Sequence, residues 1–149
     1  MEKSLIILKP DAVQRGLIGQ IITRLEQRGL KFMGMKLMQV SPELAQSHYG
    51  EHEGKPFFGA LVSYITSSPV VVIAIQGKNV VQTIRNTVGA TNPMNAAPGT
   101  IRGDFGLEIG RNLIHASDSP ESGEAEVSRF FDASDLITWE RNTDAWIHE

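Results

Sequence analysis

The middle of the chain contains an uninterrupted apolar run, Val70-Val71-Val72-Ile73-Ala74-Ile75, with Pro69 before it and Gly77 shortly after it. A short apolar run between turn-forming residues is typical of a strand that is buried on both faces of a sheet. The run is too short to cross a bilayer, which requires about 20 apolar residues. Residues 70–75 therefore predict the central strand of a sheet.

Three other segments predict strands. A second apolar run, Leu5-Ile6-Ile7-Leu8, predicts a short strand buried on both faces. Residues 32–40 predict a strand with one alternating apolar face, formed by Met33, Met35 and Leu37. A short strand that closes the sheet is predicted at Leu113-Ile114.

Apolar spacing and capping residues predict the helices. Ile18, Ile21, Ile22 and Leu25 recur at the spacing of an amphipathic helix, and Gly29 follows where a helix-ending glycine is favoured. Three other predicted helices start at Ser41-Pro42, with Ser41 as the N-cap, at the N-cap Asn79 (with Gly89 at the end) and at Ser119-Pro120. A further short helix is predicted from about Lys55 to Ile65.

The predicted elements follow the order β-α-β-(α-α)-β-α-loop-β-α. This order favours one α+β domain over residues 1–149, with a ferredoxin-like βαββαβ antiparallel sheet covered by helices. Residues 91–111 are rich in Gly, Pro and Asn, and a loop of that length inside a domain is usually functional or disordered. We therefore expect an inserted functional loop before the last strand.

The composition excludes several classes of function. The 149 residues include no cysteine, which rules out disulfides, thiolate metal sites and cysteine nucleophiles. The net charge of -3 argues against nucleic acid as the main partner, because phosphate contacts dominate such binding. The N-terminal apolar run is too short for a signal peptide, so we expect a cytoplasmic protein without a membrane segment.

The densest polar cluster of the chain is Arg111-Asn112-Leu113-Ile114-His115-Ala116-Ser117-Asp118-Ser119. A neutral imidazole nitrogen can attack phosphorus, and the resulting phosphohistidine divides one difficult transfer into two easier ones. A carboxylate is needed to hold the ring in one tautomer, and Glu121, Glu124 and Glu126 all follow on the next predicted helix. Composition alone favours an ordinary histidine at the end of a strand. A Ser-His-Asp hydrolase site is disfavoured, because members of such a triad normally converge from separate segments.

Four residues are candidates for binding phosphate: Lys9, Arg85, Thr91 and Arg102. A guanidinium group suits phosphate because it stays charged and donates hydrogen bonds in pairs. The alternative is that each is a solvated surface residue. Phe57-Phe58 is a candidate for stacking on a nucleobase, although core packing is the better explanation for at least one of the two rings.

Several segments, taken together, resemble the nucleoside diphosphate kinase family over essentially the whole chain. The family signature N-x-x-H-[GA]-S-D-S corresponds to residues 112–119. The segments Thr91-Asn92-Pro93 and Pro98-Gly99-Thr100-Ile101-Arg102-Gly103-Asp104-Phe105 are similar to the nucleotide-site loop of the family. The resemblance extends from residues 5–12 to the terminal Trp146-Ile147-His148-Glu149.

The resemblance implies a role for each matching residue. His115 would be the phosphorylated nucleophile, oriented by Glu126 and supported by Ser117 and Tyr49. Phe57 would stack on the base. The phosphates and sugar hydroxyls would be bound by Lys9, Arg85, Thr91, Arg102 and Asn112. Mg²⁺ would be carried by the nucleotide phosphates, with Asp118 and Glu51 as candidates to contact its waters.

The implied activity is transfer of the γ-phosphoryl group of a nucleoside triphosphate, typically ATP, to a nucleoside diphosphate by a ping-pong route. The alternative is a catalytically silent nucleotide-binding regulatory module. The C-terminal tail resembles that of the hexameric branch of the family, so we expect a homohexamer. Two positions depart from the common pattern: Glu51 replaces an aspartate, and Ala116 replaces a glycine. If residue 116 needs a positive φ, alanine introduces strain there.

Overall fold

Four antiparallel strands form the sheet around which the chain is organised. The computed structural model describes residues 1–149. The strands are β1 (Glu2–Leu8), β2 (Phe32–Met38), β3 (Val70–Gly77) and β4 (Ile114–Ala116), in the spatial order β2-β3-β1-β4. All three neighbouring pairs are antiparallel. The two apolar runs that predict buried strands are therefore the two interior strands, and the ferredoxin-like antiparallel fold is confirmed.

Seven α-helices flank or connect the strands. They are α1 (Pro10–Gln14), α2 (Ile18–Gln27), α3 (Pro42–His48), α4 (Phe58–Ile65), α5 (Val80–Val88), α6 (Ile101–Phe105) and α7 (Pro120–Phe130). Short 3-10 helices occur at Gly50–His52, Pro93–Asn95, Ile109–Arg111, Ala133–Asp135 and Asp144–Trp146. None of the helices combines the length and the hydropathy that crossing a membrane requires.

The sheet separates two hydrophobic cores because successive side chains of a strand point to opposite faces. Ile6 and Leu8 of β1 pack in one core with residues of α2 and α5. Leu5 and Ile7 pack in the other with residues of α3, α4 and α7. His115 lies directly opposite Ile7 in the β1–β4 pair, so its side chain points to the second face, towards α3 and α7.

The alternating face predicted for β2 is wrong in part. Met33 is buried, but Met35 and Leu37 are exposed to 54% and 66%. A register shift between Phe32 and Gly34 interrupts the pairing with β3, so the simple alternation starts again after Met33. Because β2 is also an edge strand, the two exposed side chains lie outside the cover of the helices.

The predicted caps are confirmed at two helices and wrong at a third. The hydroxyl of Ser41 accepts a hydrogen bond from the amide of Leu44, and Ser119 caps α7 in the same way. Asn79 precedes α5 as predicted, but its φ of 57° is left-handed and its side chain forms no cap. The helix-ending glycines Gly29 and Gly89 both have positive φ, as their positions predict.

Three boundaries differ from the sequence prediction. Pro10 begins the unpredicted helix α1, because proline is favoured in the first turn of a helix as well as after a strand. The helix predicted from Lys55 starts only at Phe58. The segment 91–111 is not an irregular loop throughout: it contains α6, whose N-cap Thr100 accepts a hydrogen bond from the amide of Gly103.

Candidate active site

The carboxylate of Glu126 holds the side chain of His115. His115 is the middle residue of β4, and its Nε2 lies 2.7 Å from Oε1 of Glu126 on α7. The hydroxyl of Ser117 donates to the same oxygen at 2.7 Å and accepts from the amide of Leu5 at 2.9 Å. A carboxylate oxygen accepts hydrogen bonds, so Nε2 carries the proton and Nδ1 is the nitrogen with a free lone pair.

The hydrogen bonds to Glu126 keep this carboxylate charged. Burial on its own raises the pKa of Glu126, but the hydrogen bonds from His115 and Ser117 outweigh it and the pKa is lowered. The side chains of His115 and Glu126 are only 23% and 15% exposed, so solvent weakens their interaction little. The pair therefore presents an oriented imidazole whose Nε2 faces a negatively charged carboxylate.

A strained turn precedes the histidine. Leu113 is fully buried and has a φ of 75°, which non-glycine residues rarely adopt. The amide of Ile114 donates to the carbonyl oxygen of Asn112 at 2.9 Å, which closes a γ-turn around Leu113. Ala116 is not among the residues with positive φ, so the strain expected there does not exist. The unusual conformation lies three residues earlier instead.

Two cationic side chains and an amide lie together beside this turn. Nζ of Lys9 donates to Oδ1 of Asn112 at 2.8 Å. The guanidinium of Arg102 donates to the carbonyl oxygens of Gly89, Asn112 and Ile114. Arg102 is only 5% exposed, so it is not a solvated surface residue. These contacts use three of its five N–H groups and leave two for a ligand.

The cations of this group are buried close to one another, and the charge of Asp11 opposes their repulsion only in part. Burial, reinforced by the nearby charge of Arg102, lowers the pKa of Lys9 to about 8. Burial, reinforced by the charge of Arg85, lowers the pKa of Arg102 to about 10. Like charges that depress one another's pKa values attract an anion strongly. The arrangement fits a polyphosphate.

The remaining phosphate candidates border the same group. Nη1 of Arg85 donates to the carbonyl oxygen of Ala116 at 3.0 Å, which places this guanidinium at the end of β4. The carbonyl oxygen of Thr91 accepts from Nδ2 of Asn112 at 3.0 Å, while Thr91 itself is exposed. The five candidates for phosphate and sugar binding are thus gathered at residues 112–116: Arg85 and Arg102 contact the backbone there, and Lys9 and Thr91 contact the side chain of Asn112.

A series of aromatic rings connects His115 to the surface. The ring of His48 contacts that of His115 edge to face, with centroids 4.9 Å apart, and contacts Tyr49 at the same distance. His52 follows Tyr49, and its ring lies 5.2 Å from that of Phe57. Phe57 is 47% exposed and belongs to neither core, so core packing does not account for it.

The structure forms no hydrogen bond between Tyr49 and His115. Burial raises the pKa of the Tyr49 hydroxyl to about 12, so this group is protonated at neutral pH. The ring in contact with the nucleophile is that of His48, whose pKa is lowered to about 3 by burial and by the proximity of His115. In the sequence, His48 lies beside Tyr49 on a predicted helix, where a place in the pocket and ordinary helix packing explain it equally well.

No group of three or more His, Cys, Asp or Glu side chains is arranged to hold a metal ion. Asp118 is exposed one residue after Ser117, and the side chain of Glu51 is 83% exposed beside His52. A cavity of about 640 Å³ lies elsewhere, lined by residues such as Gly29, Lys78 and His148, and includes none of the candidates.

Comparisons with known proteins agree with this geometry. The sequence model of the family described as nucleoside diphosphate kinase matches residues 2–136. A nucleoside diphosphate kinase of Herpetosiphon aurantiacus is 72% identical over 149 residues, which cover 100% of both chains.

Solved structures are similar over almost the whole chain. The nucleoside diphosphate kinase of Halobacterium salinarum in complex with CDP has a TM-score of 0.96 and 50% identity, over 99% of each chain. A nucleoside diphosphate kinase family protein from Babesia bovis has a TM-score of 0.97 and 42% identity, over 99% of this chain and 100% of that one. The chain therefore belongs to the nucleoside diphosphate kinase family, a family of nucleotide-binding phosphotransferases.

Proposed function

We propose that the chain transfers the γ-phosphoryl group of a nucleoside triphosphate to a nucleoside diphosphate through a phosphohistidine at His115. One observation carries the proposal: Nε2 of His115 is engaged by Glu126, which leaves Nδ1 as the free nucleophilic nitrogen of a residue whose two neighbours in the strand bind Arg102 and Arg85 through their carbonyl oxygens. In the first half-reaction, a bond forms between Nδ1 and the γ-phosphorus while the bond to the β–γ bridging oxygen breaks. The nucleoside diphosphate then leaves.

The second half-reaction reverses the first with another nucleotide. A β-phosphate oxygen of the incoming diphosphate attacks the phosphorus, and the bond to Nδ1 breaks. One pocket serves both nucleotides in turn, which gives ping-pong kinetics. The CDP-bound relative supports a pocket that accepts diphosphates with a pyrimidine base.

Glu126 has a specific task in this route. When neutral imidazole becomes bonded to phosphorus, the ring gains positive charge while Nε2 keeps its proton. The carboxylate 2.7 Å away stabilises that charge, and the hydroxyl of Ser117 holds the carboxylate in place. Both groups are fixed before substrate arrives, so little reorganisation is needed during the reaction.

The cations neutralise the charge on the transferring group. Phosphoryl transfer passes through a loose transition state in which catalysis consists mainly of positioning and electrostatic stabilisation. Lys9, Arg85 and Arg102 supply three positive charges around residues 112–116, and Asn112 and Thr91 offer polar groups beside them. The backbone contacts of Arg102 fix its direction, so it binds the phosphates with little loss of side-chain entropy.

Phe57 is the proposed platform for the base. Its exposed ring lies at the outer end of the aromatic series, well suited to stacking on a planar group. Every base offers a π face, so stacking tolerates purines and pyrimidines alike. A broad nucleotide specificity follows.

Kinases of this kind generally require a divalent metal, and we propose Mg²⁺. Neither Asp118 nor Glu51 belongs to a preformed metal cluster. This fits an ion that the nucleotide phosphates coordinate and that contacts the protein only through water. When bound, Mg²⁺ would add positive charge at the β- and γ-phosphates. The protein residues described above perform the positioning without it.

We also propose that residues 1–149 act as one domain that assembles into a homohexamer. A hexamer built from dimers and trimers needs two different contact surfaces on each chain. Two exposed apolar groups are available: Met35 and Leu37 on the edge strand β2, and the side chains of Met94, Leu107 and Ile109 in the segment 91–111. Sedimentation equilibrium tests the proposal, and a tetramer or dimer would refute it. The cytoplasmic location stays a prediction, which cell fractionation tests.

Steady-state kinetics separate the enzyme from the silent nucleotide-binding module. We expect purified protein with Mg²⁺, ATP and dTDP to produce dTTP, and double-reciprocal plots at several dTDP concentrations to be parallel, as a ping-pong route requires. Intersecting lines would refute the covalent route. Nucleotide binding without turnover would instead support the silent module.

A further inference from the structure

We propose that Asp11 and Tyr64 are positioning residues, which hold the γ-turn at Leu113 and thereby fix the direction of the His115 ring. The inference rests on the proposed phosphorylation of His115. It adds two residues that do not touch the imidazole and are absent from the expected set of functional residues.

The turn does not hold its conformation on its own. Leu113 has a branched side chain and no glycine-like freedom, yet its φ is 75°. Such a backbone persists only where surrounding contacts determine it, and strain of this kind concentrates at functional sites. Since β4 is only three residues long, its direction depends on the turn from which it starts.

Both backbone polar groups of Leu113 are held by the segment that follows β1. Its amide donates to Oδ2 of Asp11 at 3.0 Å. Its carbonyl oxygen accepts from the amide of Lys9 at 2.8 Å. The carboxylate of Asp11 is therefore the only side chain that binds the backbone of Leu113 itself, while Lys9 contributes through its backbone. Arg102 donates to the flanking carbonyl oxygens of Asn112 and Ile114.

Tyr64 fixes the carboxylate of Asp11. Its hydroxyl, on α4, donates to the other carboxylate oxygen, Oδ1 of Asp11. The guanidinium of Arg111 lies over the Tyr64 ring, 4.5 Å from its centroid. Asp11 thus uses one oxygen for the turn and the other for Tyr64, which leaves its side chain a single orientation. Burial and the hydrogen bond to Asp11 raise the pKa of Tyr64, so the hydroxyl remains a donor.

The consequence for the reaction is one of alignment. His115 follows Leu113 by two residues, and its ring must place Nδ1 in line with the bond that breaks. A displacement of about 1 Å in a reacting group can lower a rate by about 100-fold. Loss of the Tyr64 hydroxyl therefore acts on the transfer step and leaves nucleotide binding, which depends on other side chains, largely unchanged.

The test compares Tyr64→Phe with Ser68→Ala. The hydroxyl of Ser68 accepts a hydrogen bond from Nε2 of Gln14 at 2.8 Å, so the control also removes a hydroxyl that links α1 to the region of α4, but it does not touch the turn. Rapid-quench measurement of His115 phosphorylation by Mg²⁺·ATP gives the maximal rate and the half-saturating concentration separately. We expect Tyr64→Phe to lower the maximal rate about 10-fold with a nearly unchanged half-saturating concentration, and Ser68→Ala to change neither.

A second measurement reads the ring directly and does not depend on activity. In histidine-selective ¹⁵N NMR of the full chain, we expect the His115 resonances to shift in Tyr64→Phe and to stay in place in Ser68→Ala. The double variant Asp11→Asn/Tyr64→Phe should phosphorylate His115 only slightly more slowly than Asp11→Asn alone, because both changes affect the same contact, that between Asp11 and the turn.

Two results would overturn the inference: unmoved His115 resonances with a wild-type rate in Tyr64→Phe, or equal losses in Tyr64→Phe and Ser68→Ala. If Asp11→Asn does not fold, the single Tyr64→Phe variant still decides. Failure of wild-type protein to become phosphorylated would instead refute the proposed function.

Discussion

Replacement of Glu126 by glutamine tests the charge behind the nucleophile. The glutamine side chain has nearly the same shape and keeps an oxygen that can accept from Nε2 of His115, so the geometry at 2.7 Å can survive. What the variant lacks is the negative charge that stabilises the ring when it becomes bonded to phosphorus. The change therefore isolates an electrostatic effect from a positional one.

The magnitude follows from the contacts. A hydrogen bond to a charged group is worth about 1.5–3 kcal/mol and one between neutral groups about 0.5–1.5 kcal/mol. The Coulomb energy of two unit charges 4 Å apart near a protein surface, about 4 kcal/mol, sets an upper limit. The loss lies between the difference of the two hydrogen-bond energies and this limit. We take about 2 kcal/mol, which corresponds to about 30-fold in rate.

The assay is the single-turnover phosphorylation of His115 with Mg²⁺·ATP, with Glu124→Gln as the matched control. Glu124 lies on the same helix, pairs with Lys3 at 3.5 Å and makes no contact with His115. We expect Glu126→Gln to lower the maximal rate about 30-fold and to leave the half-saturating ATP concentration nearly constant, while the control stays like wild type. A fall of less than about threefold, or a change confined to ATP affinity, would refute the reasoning.

Four further expectations follow from the structure. For Lys9, whose pKa of about 8 means loss of its charge above that pH, kcat/KM for ATP should decline on the alkaline side of pH 8, and a flat pH profile would contradict this. His48 cannot readily be protonated in the fold, so the free energy of unfolding should fall below pH 6.5 by up to about 1.4 kcal/mol per pH unit. Urea titrations at several pH values should show a smaller decline per pH unit in His48→Phe. Phe57→Ala should raise KM for every nucleotide about 10-fold with little change in kcat, as steady-state assays with purine and pyrimidine substrates would show. Gly123→Ala should destabilise the fold by about 3 kcal/mol, because the new Cβ would lie 1.8 Å from a backbone carbonyl oxygen of β1. In urea denaturation, the control Gly19→Ala, where space is open, should keep the midpoint of the wild type.

The fold was predictable where the residue pattern has one physical solution. Leu5–Leu8 and Val70–Ile75 are apolar throughout, so only the interior of a sheet satisfies them, and both are interior strands. The capping serines Ser41 and Ser119 likewise mark helix starts through a local hydrogen bond. Such features depend on neighbouring residues alone, which a sequence displays directly.

Features that depend on long-range packing were not predictable. The exposure of Met35 and Leu37 follows from the edge position of β2 and from a register shift, neither of which the alternating pattern reveals. The left-handed conformation of Leu113 is equally hidden, because a leucine at that position gives no sign of positive φ. The amide of Leu113 is bound by Asp11, which lies 102 residues earlier in the chain.

In the candidate site, too, some features could be predicted from the sequence and others depend on contacts between distant segments. The resemblance named the pair of His115 and Glu126, while spacing alone left three glutamates open. The structure adds the hydrogen bond between them and the buried state of Arg102, which composition had equally allowed as a surface residue. His48 and Tyr64 had no decisive signal in the sequence, since their contacts join α3 and α4 to distant segments.

The most direct test of the account is covalent labelling of His115. Purified protein is incubated with γ-³²P-labelled ATP and Mg²⁺, beside His115→Ala and the control His148→Ala, whose histidine is exposed near the C terminus. We expect acid-labile, base-stable label on wild type and His148→Ala but not on His115→Ala, and release of that label as GTP when GDP is added. Label that persists in His115→Ala, or wild-type label that GDP does not remove, would contradict the central claim.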